Sequence, residues 1–264
     1  MGVVPPSHPR YASLMGRKLL TEAAAAGMLA ESALIAHGRG EAFDYLLGEA
    51  TCEAARLAIA ESAARLAAAD RPVISLNGNA TALAADTLLA CAAVLDCPVE
   101  INIYYRTPAR MEALLGHLRA RQAALAESPA PSGWTDAHGD WAAKIAAVPI
   151  LGDAPDARIP DLDGPRANCH ADGILASDCI LVPLEDGDRC EALVAMGKTL
   201  CVIDLNPMSR TAKTATVTIV DELMRCAGLL LDELLRGSAE VDTDFCNIQN
   251  LDSALSVMLS ALNR

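Results

Sequence analysis

The chain has 264 residues and a formal net charge of −13, and 52% of its residues are apolar although few are aromatic. This composition suffices for a large globular domain with an aliphatic core, and the negative charge argues against nucleic acid as a partner. No apolar run approaches the roughly 18 residues of a membrane span, and nine cysteines without C-x-x-C spacing or a signal peptide predict reduced thiols in a cytoplasmic protein.

An N-terminal helical segment is predicted over residues 1–70. Apolar residues recur with helical periodicity over 10–28 and 49–70. Between these helices, Gly38 and Gly40 flank Arg39 in a stretch that predicts a loop. Two interpretations of this loop stay open: the glycines let the backbone approach a ligand closely, or the loop is plain and carries a surface arginine.

The central part of the chain, residues 71–236, alternates short apolar runs with helical segments. The predicted strands are 72–76, 98–105, 147–151, 179–183, 200–203 and 214–220. Because helices separate them, the fold is predicted to be α/β, with a doubly wound, mostly parallel, Rossmann-like sheet. In the last strand Thr alternates with apolar residues, which predicts an edge strand with one solvent-exposed face. Asp221 is predicted to cap the helix that follows.

Two further segments complete the predicted organisation. Residues 127–141 contain both tryptophans together with Pro, Gly and Ser, which predicts a surface insertion within the central part. Residues 237–264 predict a polar tail that ends in a helix. The chain is thus expected to comprise a helical segment packed on a nucleotide-binding core, followed by a C-terminal tail.

Polar residues follow several of the predicted strands. In a parallel sheet, ligands bind in the crevice beyond the carboxyl ends of the strands. Glycine, asparagine and aspartate are ordinary turn formers, but Arg106, Arg189 and Arg210, at three strand ends, are not. These arginines predict a site for anionic groups held by bidentate contacts. Within the second strand Glu100 needs a partner or a ligand if it is buried, and pairing with Arg106 is the simple alternative.

Common nucleotide and hydrolase motifs do not occur in the sequence. The chain contains no G-x-G-x-x-G, no G-x-x-x-x-G-K-[ST] and no G-x-S-x-G. These absences argue against a nicotinamide- or flavin-binding protein, a P-loop kinase and a hydrolase, in that order. Asp186 and Asp188 bracket Gly187 after the fourth strand. Three interpretations of this pair stay open: ligands for Mg²⁺, a contact to a ribose, and an ordinary acidic turn.

Five stretches are distinctive in combination: 7–14 (SHPRYASL), 34–45 (LIAHGRGEAFDY), 72–79 (PVISLNGN), 182–189 (VPLEDGDR) and 203–211 (IDLNPMSRT). Together they resemble the archaeal phosphopantothenate synthetases, also called 4-phosphopantoate–β-alanine ligases, over nearly the whole chain. The chain departs from the family pattern in three places. Cys190 stands where threonine is usual, residues 223–228 diverge, and the insertion at 127–141 is longer.

The resemblance implies an ATP-dependent, amide-forming ligase of coenzyme A biosynthesis that works as a homodimer. Its substrates would be 4-phosphopantoate, β-alanine and ATP, and its products 4′-phosphopantothenate, AMP and pyrophosphate, formed through an acyl-adenylate. Mg²⁺ is expected with the ATP, and neither nucleic acid nor a membrane is expected as a partner. Two alternatives stay open: a nucleotide-dependent phosphotransferase, which would release ADP, and a nucleotide-sensing module without turnover.

The resemblance also implies roles for individual residues. Those expected to contact ATP are Arg17, Arg39, Asp186, Gly187, Asp188, Arg189, Asp204, Leu205 and Asn206, with Lys213 a weaker candidate. Those expected to bind 4-phosphopantoate are Asn77, Asn79, Arg106 and Arg210. Those expected to take part in catalysis are Arg17, Arg39 and Arg189. Asp186 is expected to hold the metal, and His37 either to act as the base for β-alanine or only to orient its loop. Arginines 17, 39, 106, 189 and 210 should therefore converge over one rim of the sheet.

Overall fold

Six parallel strands form the centre of the computed structural model, which describes residues 4–183, 186–237 and 239–263. The strands of this sheet are β1 (Pro72–Leu76), β2 (Val99–Ile101), β3 (Ile150–Leu151), β6 (Cys179–Pro183), β7 (Thr199–Ile203) and β8 (Val217–Ile219). Two short strands form a separate antiparallel ribbon, β4 (Ala157–Arg158) and β5 (Asn168–Cys169). The helices are α1 (Tyr11–Ala25), α2 (Glu31–Leu47), α3 (Glu53–Ala68), α4 (Gly78–Val94), α5 (Pro108–Ala126), α6 (Trp141–Ala147), α7 (Gly187–Ala195), α8 (Arg210–Thr214), α9 (Leu223–Arg236) and α10 (Asn247–Leu259).

The strand order determines where a ligand site can form. The sheet runs β3-β2-β1-β6-β7-β8, and every neighbouring pair is parallel. The chain therefore builds outward from β1 in one direction and from β6 in the other, so the order reverses between these two central strands. At such a switch point the connecting helices leave on opposite faces and open a crevice beyond the strand ends. The predicted doubly wound, parallel α/β fold is confirmed.

Both faces of the sheet are buried, because alternate residues of each strand pack into separate hydrophobic clusters. Ile74 and Leu181 lie in a cluster built with α3, α4, α5 and α9. Val73 and Ile180 lie in a smaller cluster on the other face, which includes Leu193 of α7. Burying each of these branched side chains stabilises the fold by about 1.5–3 kcal/mol, so the two apolar faces hold the strand ends in register.

The stretch around Arg39, predicted as a loop, is helical, and both interpretations of it were wrong on this point. It lies in the middle of α2, which continues to Leu47 and ends at Gly48 in the left-handed conformation. Each internal glycine costs a helix about 1 kcal/mol, but α2 packs against α1, α4 and α10. At Gly40 a Cβ atom would stand 3.4 Å from the side chain of Leu205, which is an ordinary contact distance and shows that α2 packs against the end of β7.

Two expectations at the last strand were also wrong. β8 is an edge strand, but Thr218 is fully buried, and its hydroxyl donates to the Ala212 carbonyl at 2.8 Å because α8 and α10 cover this face. The cap of α9 is Glu222, whose carboxylate accepts from two backbone N–H groups of the first turn. Asp221 instead forms an ion pair with Arg225.

The predicted insertion at 127–141 lies largely at the surface and is anchored at its end. The rings of Trp134 and Trp141 meet edge to face with centroids 4.8 Å apart. Trp141 is buried, and its indole N–H donates to the carbonyls of Leu125 and Ser128. Across the described residues, no helix combines the length and the apolar character needed to cross a membrane.

Candidate active site at the carboxyl ends of the strands

A cavity of about 580 Å³ opens beyond the carboxyl ends of β1 and β7. This volume is in the range of sites for small molecules. Its walls are the facing sides of α1 and α2, the first turn of α4, the segment after β7 and the start of α9. The polar residues of these walls are Arg10, Ser13, Ser32, His37, Arg39, Glu41, Asp44, Glu49, Asn77, Asn79, Tyr104, Tyr105, Arg110, Arg166, Asp204, Asn206, Ser209, Thr211, Asp221, Glu222 and Arg225.

The first turn of α4 brings backbone N–H groups to the cavity. Asn77 caps this helix by accepting from the N–H of Ala80 at 2.9 Å, and its amide donates to the Pro183 carbonyl at 3.0 Å. The cap therefore also joins the ends of β1 and β6. Gly78 and Asn79 follow at the cavity wall, where the first N–H groups of a helix have no partner within it and favour an anion.

Asn79 leaves an acceptor unused at this wall. Its side-chain amide donates to the carbonyl of Ala33 in α2 at 3.1 Å, which fixes which end of the amide is nitrogen. The residue is 6% exposed, and its Oδ1 has no hydrogen-bond partner among the described residues. An unpaired buried acceptor costs about 1–3 kcal/mol, so this atom favours a ligand that carries a donor.

The helices α1 and α2 contribute Arg39 and a chain of polar contacts. Arg39 is exposed at the wall, and no carboxylate of the described residues pairs with it. Glu41 accepts from Arg17 Nε at 2.7 Å and from the hydroxyl of Ser13 at 3.1 Å. The Nε2 atom of His37 lies 3.8 Å from Glu41 Oε1. Arg17 therefore acts on the cavity through Glu41.

The protonation states of His37 and Glu41 follow from their surroundings. Burial lowers the pKa of His37 below its ordinary value and outweighs the opposite influence of Glu41, so the imidazole is neutral at pH 7. Burial raises the pKa of Glu41, but the hydrogen bonds from Arg17 and Ser13 reverse the sign, and the net pKa is lowered. The site thus holds a carboxylate beside a neutral imidazole.

An ion-paired arginine anchors α2 to the far side of the cavity. Arg225, on α9, donates to Asp44 of α2 at 2.6 Å and also pairs with Asp221 after β8. Burial raises the pKa of Asp44, and the contacts with Arg225 offset this only in part. Because Asp44 and Asp221 are almost wholly buried, this bridge fixes the position of the helix that carries His37 and Arg39.

The end of β7 lines the cavity as the resemblance predicted. Asp204 accepts from the backbone N–H of Asn206 at 2.9 Å and from the hydroxyl of Ser209 at 2.5 Å. Burial raises the pKa of Asp204, which Ser209 opposes. Leu205 is nearly buried beside Gly40, and Asn206 accepts from the N–H of Met208 at 3.0 Å.

The predicted turn after β6 lies beside the cavity rather than in its wall. Asp186 caps α7 by accepting from the N–H of Arg189 at 3.0 Å, and it pairs with Arg166 at 2.5 Å. Burial raises the pKa of Asp186, but the charge of Arg166 and the helix N–H outweigh it and lower the net pKa. Asp188 follows Gly187 and points to the surface. Residues 184 and 185, part of the same predicted strand end, lie outside the described residues.

Three of the five arginines expected at one rim contact other groups of the protein and do not line the cavity, and their roles in ligand binding stay predictions. Arg189 is fully buried and donates to the hydroxyl of Ser75 at 2.8 Å. Arg210 is more than half exposed and pairs with Asp188. Arg106 donates to the Gly152 carbonyl. Since Arg17 reaches the cavity only through a carboxylate, Arg39 is the member of the five that lines it.

Glu100 has backbone partners rather than Arg106. Its carboxylate, 1% exposed, accepts from the N–H groups of His170 at 3.0 Å and Ile174 at 2.8 Å. These belong to the segment before β6, where a single turn over Ala171–Leu175 brings the chain against β2. The simple Glu100–Arg106 pair is therefore not formed within the described part of the chain.

Four arginines that the sequence did not single out line the cavity in addition to Arg39. Arg10 pairs with Glu49 at 2.6 Å. Arg110 donates to the carbonyls of Tyr105 and Met28. Arg166 and Arg225 complete the set. Arg10 lies in the first of the five distinctive stretches, which was the available signal. No motif in the neighbouring sequence indicated Arg110, Arg166 or Arg225.

The described residues contain no group of three or more His, Cys, Asp or Glu side chains placed to hold a metal ion. The carboxylates of the cavity are engaged by arginines, hydroxyls or helix N–H groups, and Asp186 is held by Arg166. A dedicated Mg²⁺ cage is therefore not a property of these residues, and the metal role of Asp186 stays a prediction.

The sheet is doubly wound and parallel, and arginines and a helix N-terminus surround a cavity at its switch point. This arrangement defines an α/β protein built to bind small anionic molecules. Comparison with known proteins narrows this class. The chain belongs to the phosphopantothenate/pantothenate synthetase family, whose profile matches residues 54–131 and 139–259. The unmatched residues between these ranges fall within the predicted insertion.

Curated relatives carry a more specific name. The chain is 43% identical to the 4-phosphopantoate–β-alanine ligase of Thermococcus onnurineus over 222 residues, which cover 84% of this chain and 76% of the relative. It is 42% identical to the enzyme of that name from Methanosarcina mazei over 225 residues, 85% of this chain and 79% of the relative. With that of Methanospirillum hungatei the identity is 40% over 242 residues, 92% and 87% of the two chains. The family resemblance is confirmed.

Proposed function

We propose that this protein joins 4-phosphopantoate to β-alanine in an ATP-dependent reaction that supplies 4′-phosphopantothenate for coenzyme A biosynthesis. The observation that carries the proposal is the identity of 40–43% to ligases of that name over 84–92% of the chain. The cavity supports it, because the site must accept anions and Arg39 is available there without a carboxylate partner among the described residues.

The reaction requires activation of a carboxylate, because an amine cannot expel oxide from it. In the proposed route the carboxylate of 4-phosphopantoate attacks the α-phosphate of ATP, and pyrophosphate leaves. The amine of β-alanine then forms the C–N bond, and AMP leaves from the acyl carbon. The substrate charges brought together in the activation step, on 4-phosphopantoate and ATP, are all negative, which suits a site where positive charge and helix N–H groups are fixed in advance.

Arg39 and the first turn of α4 are the proposed anion-binding groups, and Asp204, Leu205 and Asn206 the proposed contacts to the nucleotide. Arg17 contributes by holding Glu41. The turn 186–189 borders this site, and its role at ATP stays part of the proposal, as do the roles of Asn77, Asn79, Arg106 and Arg210 at 4-phosphopantoate. The cytoplasmic location and the homodimer that the resemblance implies also belong here, and light scattering after size-exclusion chromatography tests the dimer.

Mg²⁺ is proposed to enter with the nucleotide. This ion keeps much of its hydration and binds through one or two carboxylates together with substrate phosphates. That mode needs no cluster of protein ligands, in agreement with the side chains around the cavity. No step of the reaction is assigned to the metal.

Substitution of Arg39 tests the proposal. Arg39→Ala should lower AMP and 4′-phosphopantothenate formation by about 10²–10³-fold, because a contact to developing charge is lost. Arg119→Ala is the matched control, since Arg119 is an exposed helical arginine paired with Asp153 outside the cavity. The assay follows labelled β-alanine into product and separates AMP from ADP.

Each other outcome has a defined meaning. ADP in place of AMP would identify a phosphotransferase and exclude the acyl-adenylate route. Binding of ATP without turnover in the presence of both other substrates would identify a sensing module. Full activity in Arg39→Ala, with turnover intact in the control, would remove Arg39 from the site.

A further inference from the structure

The proposed reaction leaves one chemical task without a residue. The nitrogen of β-alanine is an alkyl ammonium, a group whose ordinary pKa lies near 10, and it has no lone pair until a proton is removed. A base must therefore stand at the cavity wall, within hydrogen-bond reach of this nitrogen. Such a base must be unprotonated at neutral pH and must not already be held by a permanent cation.

The carboxylates of the cavity are already engaged within the described residues. Glu41, Glu49, Asp44 and Asp221 are held by arginines. Asp204 and Glu222 are not held by a cation, but both oxygens of each already accept hydrogen bonds inside the protein. The remaining titratable side chain of suitable type at the wall is His37. Its Nε2 is shielded from solvent and has no hydrogen-bond partner among the described residues.

The surroundings of His37 resemble those of a histidine prepared to accept a proton. The carboxylate of Glu41 lies 3.8 Å from Nε2, beyond hydrogen-bond distance, so it acts on the ring through its charge. When the imidazole accepts a proton, the same carboxylate stabilises the imidazolium. This is the part that a buried aspartate plays beside the histidine of a serine protease. Arg17 and Ser13 hold the carboxylate in place.

Asn79 supplies a complementary feature on the facing helix. Its Oδ1 is a fixed, unpaired acceptor at the same cavity. Phosphate and carboxylate oxygens are acceptors too and would be repelled there, whereas an ammonium, an amine or a hydroxyl group donates. Among the three proposed substrates, β-alanine is the one whose reacting atom is a nitrogen donor.

We propose that His37 is the general base that takes a proton from the ammonium group of β-alanine, while Asn79 Oδ1 accepts a hydrogen bond from the same nitrogen. The inference rests on the proposed function. The proton moves to the imidazole of His37 and then to solvent, and the freed lone pair forms the C–N bond at the acyl carbon. The bond between that carbon and the AMP oxygen breaks with its electron pair, and the second excess proton on nitrogen passes to solvent.

The charges that act on His37 are known from the elements around it. Glu41 lies on the same helix and Arg17 on α1, whereas α4 presents only Gly78, Asn79 and Leu83 to the cavity. α10 packs on α2 further along, around Leu47. Burial and Arg17 favour the neutral ring, and Glu41 favours the protonated one, so the acid limb of the pH profile should report the balance of these groups.

The test separates the two half-reactions in His37→Gln. Activation is followed as 4-phosphopantoate-dependent exchange of labelled pyrophosphate into ATP, and amide formation is followed with labelled β-alanine. Exchange should stay within about threefold of wild type, and amide formation should fall by about 10²–10⁴-fold, the usual contribution of a general base. Hydroxylamine, a nucleophile that is largely unprotonated at neutral pH, should still trap the acyl-adenylate at the wild-type rate. His117→Gln, remote from the cavity on α5, is the matched control.

A second variant keeps the inference open to refutation if the first affects folding. Glu41→Gln should move the acid limb of amide formation to lower pH, because Glu41 raises the pKa of His37. Amide formation by His37→Gln at the wild-type rate, or equal loss of exchange and amide formation in a folded variant, would overturn the role of His37 alone. Failure of the wild-type protein in both assays would overturn the proposed function with it.

Discussion

Arg166 lies in the turn before β5 and joins Asn102, which follows β2, to Asp186, the cap of α7. Its replacement by methionine tests how much these contacts stabilise the fold. The side chain is 9% exposed and donates through Nε to Asn102 Oδ1 at 3.2 Å and through Nη1 to Asp186. Asn102 in turn holds the backbone of the Arg166 turn through its amide. Methionine keeps the length and the apolar part of the side chain but removes the charge and every donor.

The expected loss follows from the burial of each partner. Asn102 is 1% exposed, and an acceptor that loses its donor at such a position costs about 1–3 kcal/mol. The carboxylate of Asp186 is 42% exposed, so solvent screens its pairing, which contributes about 1 kcal/mol or less. Arg166→Met should therefore lower the free energy of unfolding by about 1–4 kcal/mol, and Tm by about 2–16 °C for a chain of this size.

Urea unfolding followed by circular dichroism measures this loss, with Arg158→Met as the control. Arg158 carries the same charge on the neighbouring ribbon but is exposed, and its guanidinium donates to the side chain of Asn168 at 2.7 Å, so its loss should be below about 1 kcal/mol. Because the pKa of Asp186 is lowered in the folded protein, its part of the difference is present at pH 7 and disappears as the pH falls through that pKa. Equal stability of the two variants at pH 7 would refute the reasoning.

Two further predictions concern the buried carboxylate of Glu100. In Gly173→Ala the new Cβ would stand 2.0 Å from Glu100 Oε2. Two backbone N–H groups hold that carboxylate, so urea unfolding should show a loss of about 2–5 kcal/mol. The control Gly116→Ala, where nothing lies within 4 Å, should be neutral or stabilising by up to about 1 kcal/mol, and the same loss in both would contradict the assignment. In Glu100→Gln a titrating group is removed: burial raises the pKa of Glu100, which its N–H donors oppose only in part. Glu100 therefore makes its full contribution to the stability of the wild type below its pKa in the unfolded state. That contribution is lost as the pH rises through the pKa of Glu100 in the folded state. As the pH rises from 4 to 8, the unfolding free energy of the wild type should fall relative to that of Glu100→Gln. A difference between the two proteins that stays constant over this range would disprove the pKa shift.

Much of the fold was predictable because it is encoded locally. Short apolar runs separated by helical periodicity identified the six strands and their parallel arrangement, since a helix between two strands leaves no other simple connection. The positions that follow β1 and β7 were identified for the same reason, and Asn77, Asn79 and the residues 204–206 do line the cavity. The cap of α9 could not be predicted from the local sequence. Asp221 and Glu222 are neighbours of one chemical type, and only their distant partners decide which one caps the helix.

Tertiary structure alone decided which arginines reach the cavity. Arg17, Arg39 and Arg189 look alike in the sequence, but Glu41 holds the first, no described carboxylate pairs with the second, and the third is buried against Ser75. The helical state of the stretch around Arg39 has the same origin, because packing against three helices outweighs two glycines. Spacing along a chain sets which face of an element a residue occupies, whereas the direction and charge balance of its side chain depend on partners contributed by remote parts of the sequence.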